Sequence, residues 1–315
     1  MKRKAIIFGI KGIQLTSSER TLLKKHKPWG VILFSRNIIN LKQLKLLINE
    51  IKLIFNDVKY PILIDQEGGT VSRLNKIIDL SIFSQTFFSN LYIKNKSKFN
   101  IFYKIYINSV CSVLNDLGIN INTVPVLDIK RKRSHNIIGN RSFSHNKNII
   151  SKLGKVCINL YKKNKIGTVI KHIPGHGLSN VDSHFSLPIV VRSKKFLLNN
   201  DFKIFKDMNS FFAMTAHIVY EEFDPIYTAT HSRIIINEII RKYIGFRGIL
   251  ISDDICMKAL KFDLINNATK ALDAGCNLIL HCNGNIKEMN QLVKLIPEVD
   301  IFTQKKTSQF YKFLG

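Results

Sequence analysis

Apolar residues gather along the chain in short β-branched runs: AIIFGI (5–10), GVILFS (30–35), YPILID (60–65), INTVPVLDI (121–129), GTVIKH (167–172), FFAMTAH (211–217), GILISD (248–253) and NLILHC (277–282). Runs of this length, bounded by turn or polar residues, predict strands buried on both faces. Between them, apolar positions return every three to four residues in LKQLKLLINEIKLIF (41–55), KIYINSVCSVLNDLG (104–118), IISKLGKVCINLYKK (149–163) and SRIIINEIIRKYIG (232–245), which predicts helices. Eight buried strands alternating with helices predict an α/β fold, a single-domain TIM-like (β/α)8 barrel. A doubly wound sheet is the competing architecture, because strand runs alone do not decide whether a sheet closes. No repeat, linker or shift of composition divides the chain, so residues 1–315 read as one domain.

The polar residues that interrupt these runs fall at their C-terminal ends: Asp65, Asp128, His172, His217, Asp253 and His281. Barrel enzymes build their sites from that rim, so six polar strand ends predict a site there.

Composition changes this picture little. Forty-eight Lys and Arg against 22 Asp and Glu give a formal net charge of +26, which raises the question of a polyanion partner. The basic residues are scattered from Lys2 to Lys312 beside Asn and Ile, without a dominant block, and aromatics do not interleave with a basic stripe; solvated faces are the simpler reading, and no nucleic-acid partner is expected. Five widely spaced cysteines without a CxxC pair predict a reducing compartment. The basic start precedes an apolar run of only Ala5 to Ile10, too short for a secretion signal, and no later run approaches membrane-spanning length. A soluble, cytoplasmic protein without a membrane partner is expected.

The densest candidate chemistry lies in KHIPGHGLSNVDSH (171–184). Pro174 and the two glycines forbid a helix through KHIPGHG, so His172 and His176 could serve a metal only as loop ligands, and the segment lacks the GxxxxGK[ST] pattern of a phosphate cradle. A carboxylate nucleophile with a proton donor fits better. Asp253, or its neighbour Asp254, stands at the end of an apolar strand and can attack an electrophilic carbon. In the DSH triplet, Asp182 is placed to hydrogen-bond His184, whose imidazole titrates near neutral pH and suits a group that donates and recovers a proton; an ordinary polar turn is the plain alternative. In DQEGGTVSRL, paired glycines allow close backbone approach while Asp65, Glu67 and Arg73 suit the hydroxyls of a sugar, or simply a salt-bridged strand–loop junction.

Taken together, IDQEGGTVSRL (64–74), IIGNRSF (137–143), KHIPGHG (171–177) with VDSH (181–184), AHIVY (216–220) and GILISDDICMKAL (248–260) resemble the family 3 glycoside hydrolases, and more narrowly the bacterial NagZ-type β-N-acetylhexosaminidases. The motifs stand in the family's order across about Lys4 to Cys282. The resemblance implies retaining, two-step hydrolysis of terminal β-linked N-acetylglucosamine from cytoplasmic muropeptides, in cell-wall recycling. It implies Asp253 as nucleophile, His184 as acid/base and Asp182 as its orienting partner. Asp65, Arg73, Arg141, Lys171 and His172 are implied to bind substrate, with no metal or organic cofactor and a monomer acting on a small saccharide. A histidine would then replace the second carboxylate of most retaining glycosidases. A family 3 β-glucosidase or glycoside phosphorylase on the same barrel is the nearest enzyme alternative, and a basic nucleic-acid-binding protein reusing the fold is the non-enzymatic one. Thr70 stands where relatives often carry arginine, Cys256 is expected to be a small core residue, and the lysine-rich tail after Cys282 offers no motif.

Overall fold

The structure, a computed structural model, describes residues 2–131, 138–179 and 186–315. Among the described residues ten strands are formed in chain order: β1 Lys4–Gly9, β2 Pro28–Leu33, β3 Ile62–Ile64, β4 Ile121–Asn122, β5 Gly167–Ile173, β6 Ile189–Val190, β7 Phe212–Thr215, β8 Val219–Tyr220, β9 Ile249–Asp254 and β10 Leu278–His281. Eight of them close a parallel barrel in the order β1-β10-β9-β7-β5-β4-β3-β2, while β6 and β8 pair as a small separate sheet. Parallel neighbours need crossovers, which the intervening helices supply. The fold is the TIM-like (β/α)8 barrel, and the doubly wound alternative is excluded by closure.

The eight apolar runs are the barrel strands because each is covered on both faces. All six residues of β2 and all seven of β5 are buried. The helix Leu41–Phe55 turns Leu44, Leu47, Ile48 and Ile51 inward, as its spacing predicts. The stretch 232–245 instead forms a wider, π-type helix over Ile235–Tyr243, which buries Ile235, Ile236, Ile239 and Ile240 together. The lysine-rich tail after Cys282 forms helices Ile286–Leu295 and Ile301–Leu314. No helix among the described residues is long and apolar enough to cross a membrane.

The tail closes the N-terminal end of the barrel. Trp29, at the start of β2, donates its indole N–H to Thr307 Oγ1 at 2.9 Å and meets Phe212 edge-on. Phe310, fully buried, packs against Phe212 and against Gly167 at the start of β5, where an added Cβ would come within 2.7 Å of its ring.

The opposite rim is irregular where it carries the site. Pairing shifts register between β5 and β7 beyond Ile170, and between β10 and β9 beyond Leu278. Such irregularities re-aim side chains, and they fall on the strands that carry Lys171, His172 and Asp253. Gly177 permits the loop after β5 to pass the backbone of Ile129, since a Cβ there would lie 2.3 Å from its carbonyl oxygen.

Replacing Phe310 with alanine should lower unfolding free energy by about 3–5 kcal/mol, the usual cost of emptying a buried aromatic site; urea denaturation measures it.

Candidate functional site

The pocket at the C-terminal rim has a volume of about 190 Å³ and is lined among others by Asp65, Glu67, Arg73, Arg141, Lys171, His172, His176, Asp253 and Asp254. Its apolar wall includes Phe34, Met214, Met257 and Leu280.

Lys171, on β5, is almost wholly buried. Its ammonium donates to Asp65 Oδ1 at 3.1 Å, Glu67 Oε1 at 2.6 Å and Thr123 Oγ1 at 2.8 Å. Thr123 in turn donates its hydroxyl hydrogen bond to Asp65. Burial alone would raise the Asp65 carboxyl, but Lys171 and Arg73, the latter at 3.5 Å, hold it well below the usual range. Glu67 is likewise opposed by burial and carried down to about 2 by Arg141 and Lys171. Arg141 grips it with a two-pronged contact, Nε and a terminal nitrogen each at 2.8 Å, the geometry that gives arginine–carboxylate pairs their directionality.

The loop that presents Asp65 and Glu67 is fixed from beneath. Gln66, fully buried, accepts the amides of Arg73 and Leu74 and exchanges hydrogen bonds with the Asn122 side chain. Gly68 and Gly69 both take positive φ, 85° and 64°, conformations that side chains resist. Thr70 is exposed and donates to the Asn140 side chain at 3.0 Å, and it does not line the pocket. The segment of Arg141 is tied to Gln85, whose amide donates to the carbonyls of Val126 and Arg141.

On the far wall, Asp128 organises the KHIPGHG turn. Its carboxylate accepts from His172 Nδ1 at 2.7 Å and from the backbone amides of His172 and His176. Burial would raise it, yet the two histidines hold it below its ordinary value. The His176 ring, buried and close to His172, is pushed down to about 4. Tyr220 on β8 donates to the carbonyl of Gly175, joining the small sheet to this turn.

Asp253, the penultimate residue of β9, lines the pocket. Its Oδ1 accepts the amide of Asp254 at 2.8 Å, and among the described residues no donor reaches Oδ2. Burial raises its carboxyl, but His172, His217 and the Asp254 amide outweigh that and hold it ionised. Asp254 differs: burial and the neighbouring Asp253 push it up, while its Oδ1 accepts the amides of Cys256 and Cys282, both at 3.2 Å. His217 lies behind the pair, donating through Nε2 to the carbonyl of Asp254 and accepting from Thr230 at Nδ1; burial lowers its pKa.

Six of the residues singled out from sequence, Asp65, Arg73, Arg141, Lys171, His172 and Asp253, thus line one pocket. Asp182 and His184 lie outside the described residues. Asp128 and His217 stand one layer behind the lining, where they orient other groups. His281 corrects the rim reading: it is fully buried, points away from the pocket and contacts Glu288 at 2.8 Å. Strand alternation explains this, since Leu280 and Cys282 line the pocket on either side of it. Cys256 is partly exposed, not a core residue. His172 and His176 gather no third metal ligand among the described residues; the metal-competent grouping there is Cys256, His281 and Glu288, away from the pocket lining. Thr123, Gln66 and Thr230 carried no sequence signal that would separate them from other buried polar residues.

Known proteins resemble this chain over most of its length. The model of the glycosyl hydrolase family 3 N terminal domain matches residues 6–310. A β-hexosaminidase of Haemophilus ducreyi is 33% identical over 298 residues, covering 91% of this chain and 84% of the relative. Another from Psychromonas ingrahamii is 31% identical over 289 residues, covering 89% and 83%. The crystal structure of NagZ from Neisseria gonorrhoeae in complex with N-trifluoroacetyl-D-glucosamine superposes with a TM-score of 0.88 at 28% identity, covering all of this chain and 90% of that one. With the family model spanning nearly the whole barrel and β-hexosaminidases matching about nine-tenths of the chain, the chain belongs to glycoside hydrolase family 3, among the NagZ-type β-hexosaminidases.

Proposed function

We propose that the pocket removes a terminal β-linked N-acetylglucosamine with retention of configuration, through a covalent glycosyl–Asp253 intermediate, with His184 as acid/base and Asp182 as its orienting partner. The observation that carries this reading is Asp253 itself: a carboxylate held ionised at a strand end, with one oxygen bound and the other unengaged by any described donor. Asp254 is the weaker candidate for nucleophile because two backbone amides already occupy its Oδ1.

In the first step, Asp253 Oδ2 attacks the anomeric carbon as the glycosidic bond breaks, and the His184 imidazolium gives its proton to the departing oxygen. In the second, neutral His184 takes a proton from water, the water oxygen attacks the anomeric carbon, and Asp253 is released. The resemblance assigns the donor to His184, and four described groups of the pocket are poorly suited to the task. Asp65 and Glu67 are held ionised, His176 is held neutral, and His172 is engaged by Asp128. Asp65, Arg73, Arg141, Lys171 and His172 are assigned to the sugar hydroxyls and acetamido group. Three cations, Lys171, Arg73 and Arg141, face four carboxylates, Asp65, Glu67, Asp253 and Asp254, so neither sign is in large excess on the wall, which suits a neutral sugar.

The pocket volume of about 190 Å³ supports attack on a single terminal residue. The resemblance supports muropeptides carrying N-acetylglucosamine on 1,6-anhydro-N-acetylmuramic acid as substrates, in cell-wall recycling. Five unpaired cysteines support a cytoplasmic setting. The resemblance supports action as a monomer on a small saccharide, without a nucleic-acid or membrane partner and without a cofactor.

Turnover should be found with N-acetylglucosaminyl-anhydromuramic acid and with a chromogenic β-N-acetylglucosaminide, and not with the matching β-glucoside; phosphate should not alter the product. Release of glucose at a comparable rate, or of a sugar phosphate, would sink the assignment. Asp253→Asn should lower kcat by at least ~10³-fold with an unchanged melting temperature. His184→Ala should slow substrates with poor leaving groups far more than activated aryl glycosides; if Asp254→Asn showed that pattern instead, the acid would be Asp254.

Glu67 supplies a pH test. Its carboxyl lies at about 2 in the fold against an ordinary 4.5. The folded value is depressed, so its stabilisation is fully present above pH 4.5 and is lost as pH falls from there toward 2. Urea midpoints of wild type and Glu67→Gln should differ most above pH 4.5 and converge across that window.

A further inference from the structure

Beyond the sugar pocket, three potential ligands from separate segments meet at the outer side of the rim. Cys256 lies in the turn after β9, His281 ends β10, and Glu288 sits in the first turn of the helix Ile286–Leu295. His281 Nε2 is 2.8 Å from Glu288 Oε2, Cys256 Sγ is 3.8 Å from the same oxygen, and the three ligand atoms all lie within 4.8 Å of one another. A tetrahedral ion with metal–sulfur and metal–nitrogen or –oxygen distances of about 2.3 and 2.0 Å spaces its ligands by roughly 3.3–3.6 Å. The trio therefore needs only small shifts to surround one ion.

The surroundings favour a cation. The charges acting on the Cys256 sulfur are the carboxylates of Asp254 and Glu288. The scaffold is also set in advance: Asp254 Oδ1 holds the amides of Cys256 and Cys282 together, which ties the turn after β9 to the end of β10. Asn283 donates to Glu288 Oε2 at 2.7 Å and approaches the Cys256 sulfur at 3.4 Å, and Asn285 holds the other carboxylate oxygen at 3.0 Å. Glu288 is thereby aimed at the thiol and imidazole. His281 is buried, whereas Cys256 and Glu288 are partly exposed, which leaves a side open to solvent for entry and for a fourth ligand.

We propose that Cys256, His281 and Glu288 form a three-ligand site for zinc, with water completing the tetrahedron. Thiolate, imidazole and carboxylate together suit zinc, whereas magnesium and calcium seek oxygen alone. Binding releases the thiol proton to solvent and moves the imidazole proton from Nε2 to Nδ1, so uptake weakens as pH falls. The ion clasps the ends of β9 and β10 to the helix that follows, and it takes no part in the reaction proposed for Asp253.

Cobalt(II) is the probe, because a cobalt–thiolate bond gives a near-ultraviolet charge-transfer band that the pocket histidines cannot produce. Chelator-treated full-length protein should develop this band at one equivalent of cobalt and lose it to zinc. Cys282→Ser should keep the band, Cys256→Ser should lose it with an unchanged far-ultraviolet spectrum, and Glu288→Gln should bind at least tenfold more weakly. Zinc should raise the melting temperature of wild type by about 3–6 °C and leave Cys256→Ser unmoved. The proposal is overturned by absence of the band in wild type, by its persistence in Cys256→Ser, by its loss in Cys282→Ser, or by equal affinity in Glu288→Gln.

Discussion

The buried ammonium of Lys171 is the constraint on which the rim depends. A cation withdrawn from water costs several kcal/mol unless it is paired and hydrogen-bonded on every side. Lys171 meets that demand with Asp65, Glu67 and Thr123. Those carboxylates would be poorly placed without Arg73 and Arg141. Three segments distant in sequence, the loop after β3, the Arg141 turn and the end of β5, are therefore bound together because each supplies the charge another lacks. The same network holds polar groups rigidly around a cavity, which is what a binding site for hydroxyls requires.

Stability and chemistry are divided between the two ends of the barrel. At the N-terminal end, Trp29, Phe212 and Phe310 fill the closure with aromatic rings. At the C-terminal end, register shifts on β5 and β10 break the ladder, and buried carboxylates take over the task of holding the backbone. Asp128 holds the amides of His172 and His176, and Asp254 holds those of Cys256 and Cys282. Asp254 therefore braces the turn beside Asp253, and the same brace positions Cys256 near His281 and Glu288.

Much of this was legible beforehand. The strands were plain because parallel barrel strands are buried on both faces and so read as continuous Ile- and Val-rich runs. The helix Ser17–His26 was overlooked although Thr16 and Glu19 form a capping box with a readable spacing. The tail helices escaped because lysines on their exposed faces masked a sparse inner stripe of Thr303, Thr307 and Phe310. His281 was misread because its position at a strand end suggested the rim, while side-chain alternation sends it outward next to Leu280.

The sequence by itself determined the barrel class and the set of ionisable residues that its strand ends carry, since periodicity and local motif order survive in one dimension. Only the tertiary structure decided which of those residues share a wall. Lys171 and Asp65 are 106 positions apart and Arg141 and Glu67 74 apart, and their pairing follows from barrel closure and the burial of unlike charges, which no local pattern encodes. It likewise separated Asp253, with an oxygen unengaged by described donors, from Asp254, whose Oδ1 is spent on two amides. Adjacent identical residues differ in chemistry only through what surrounds them.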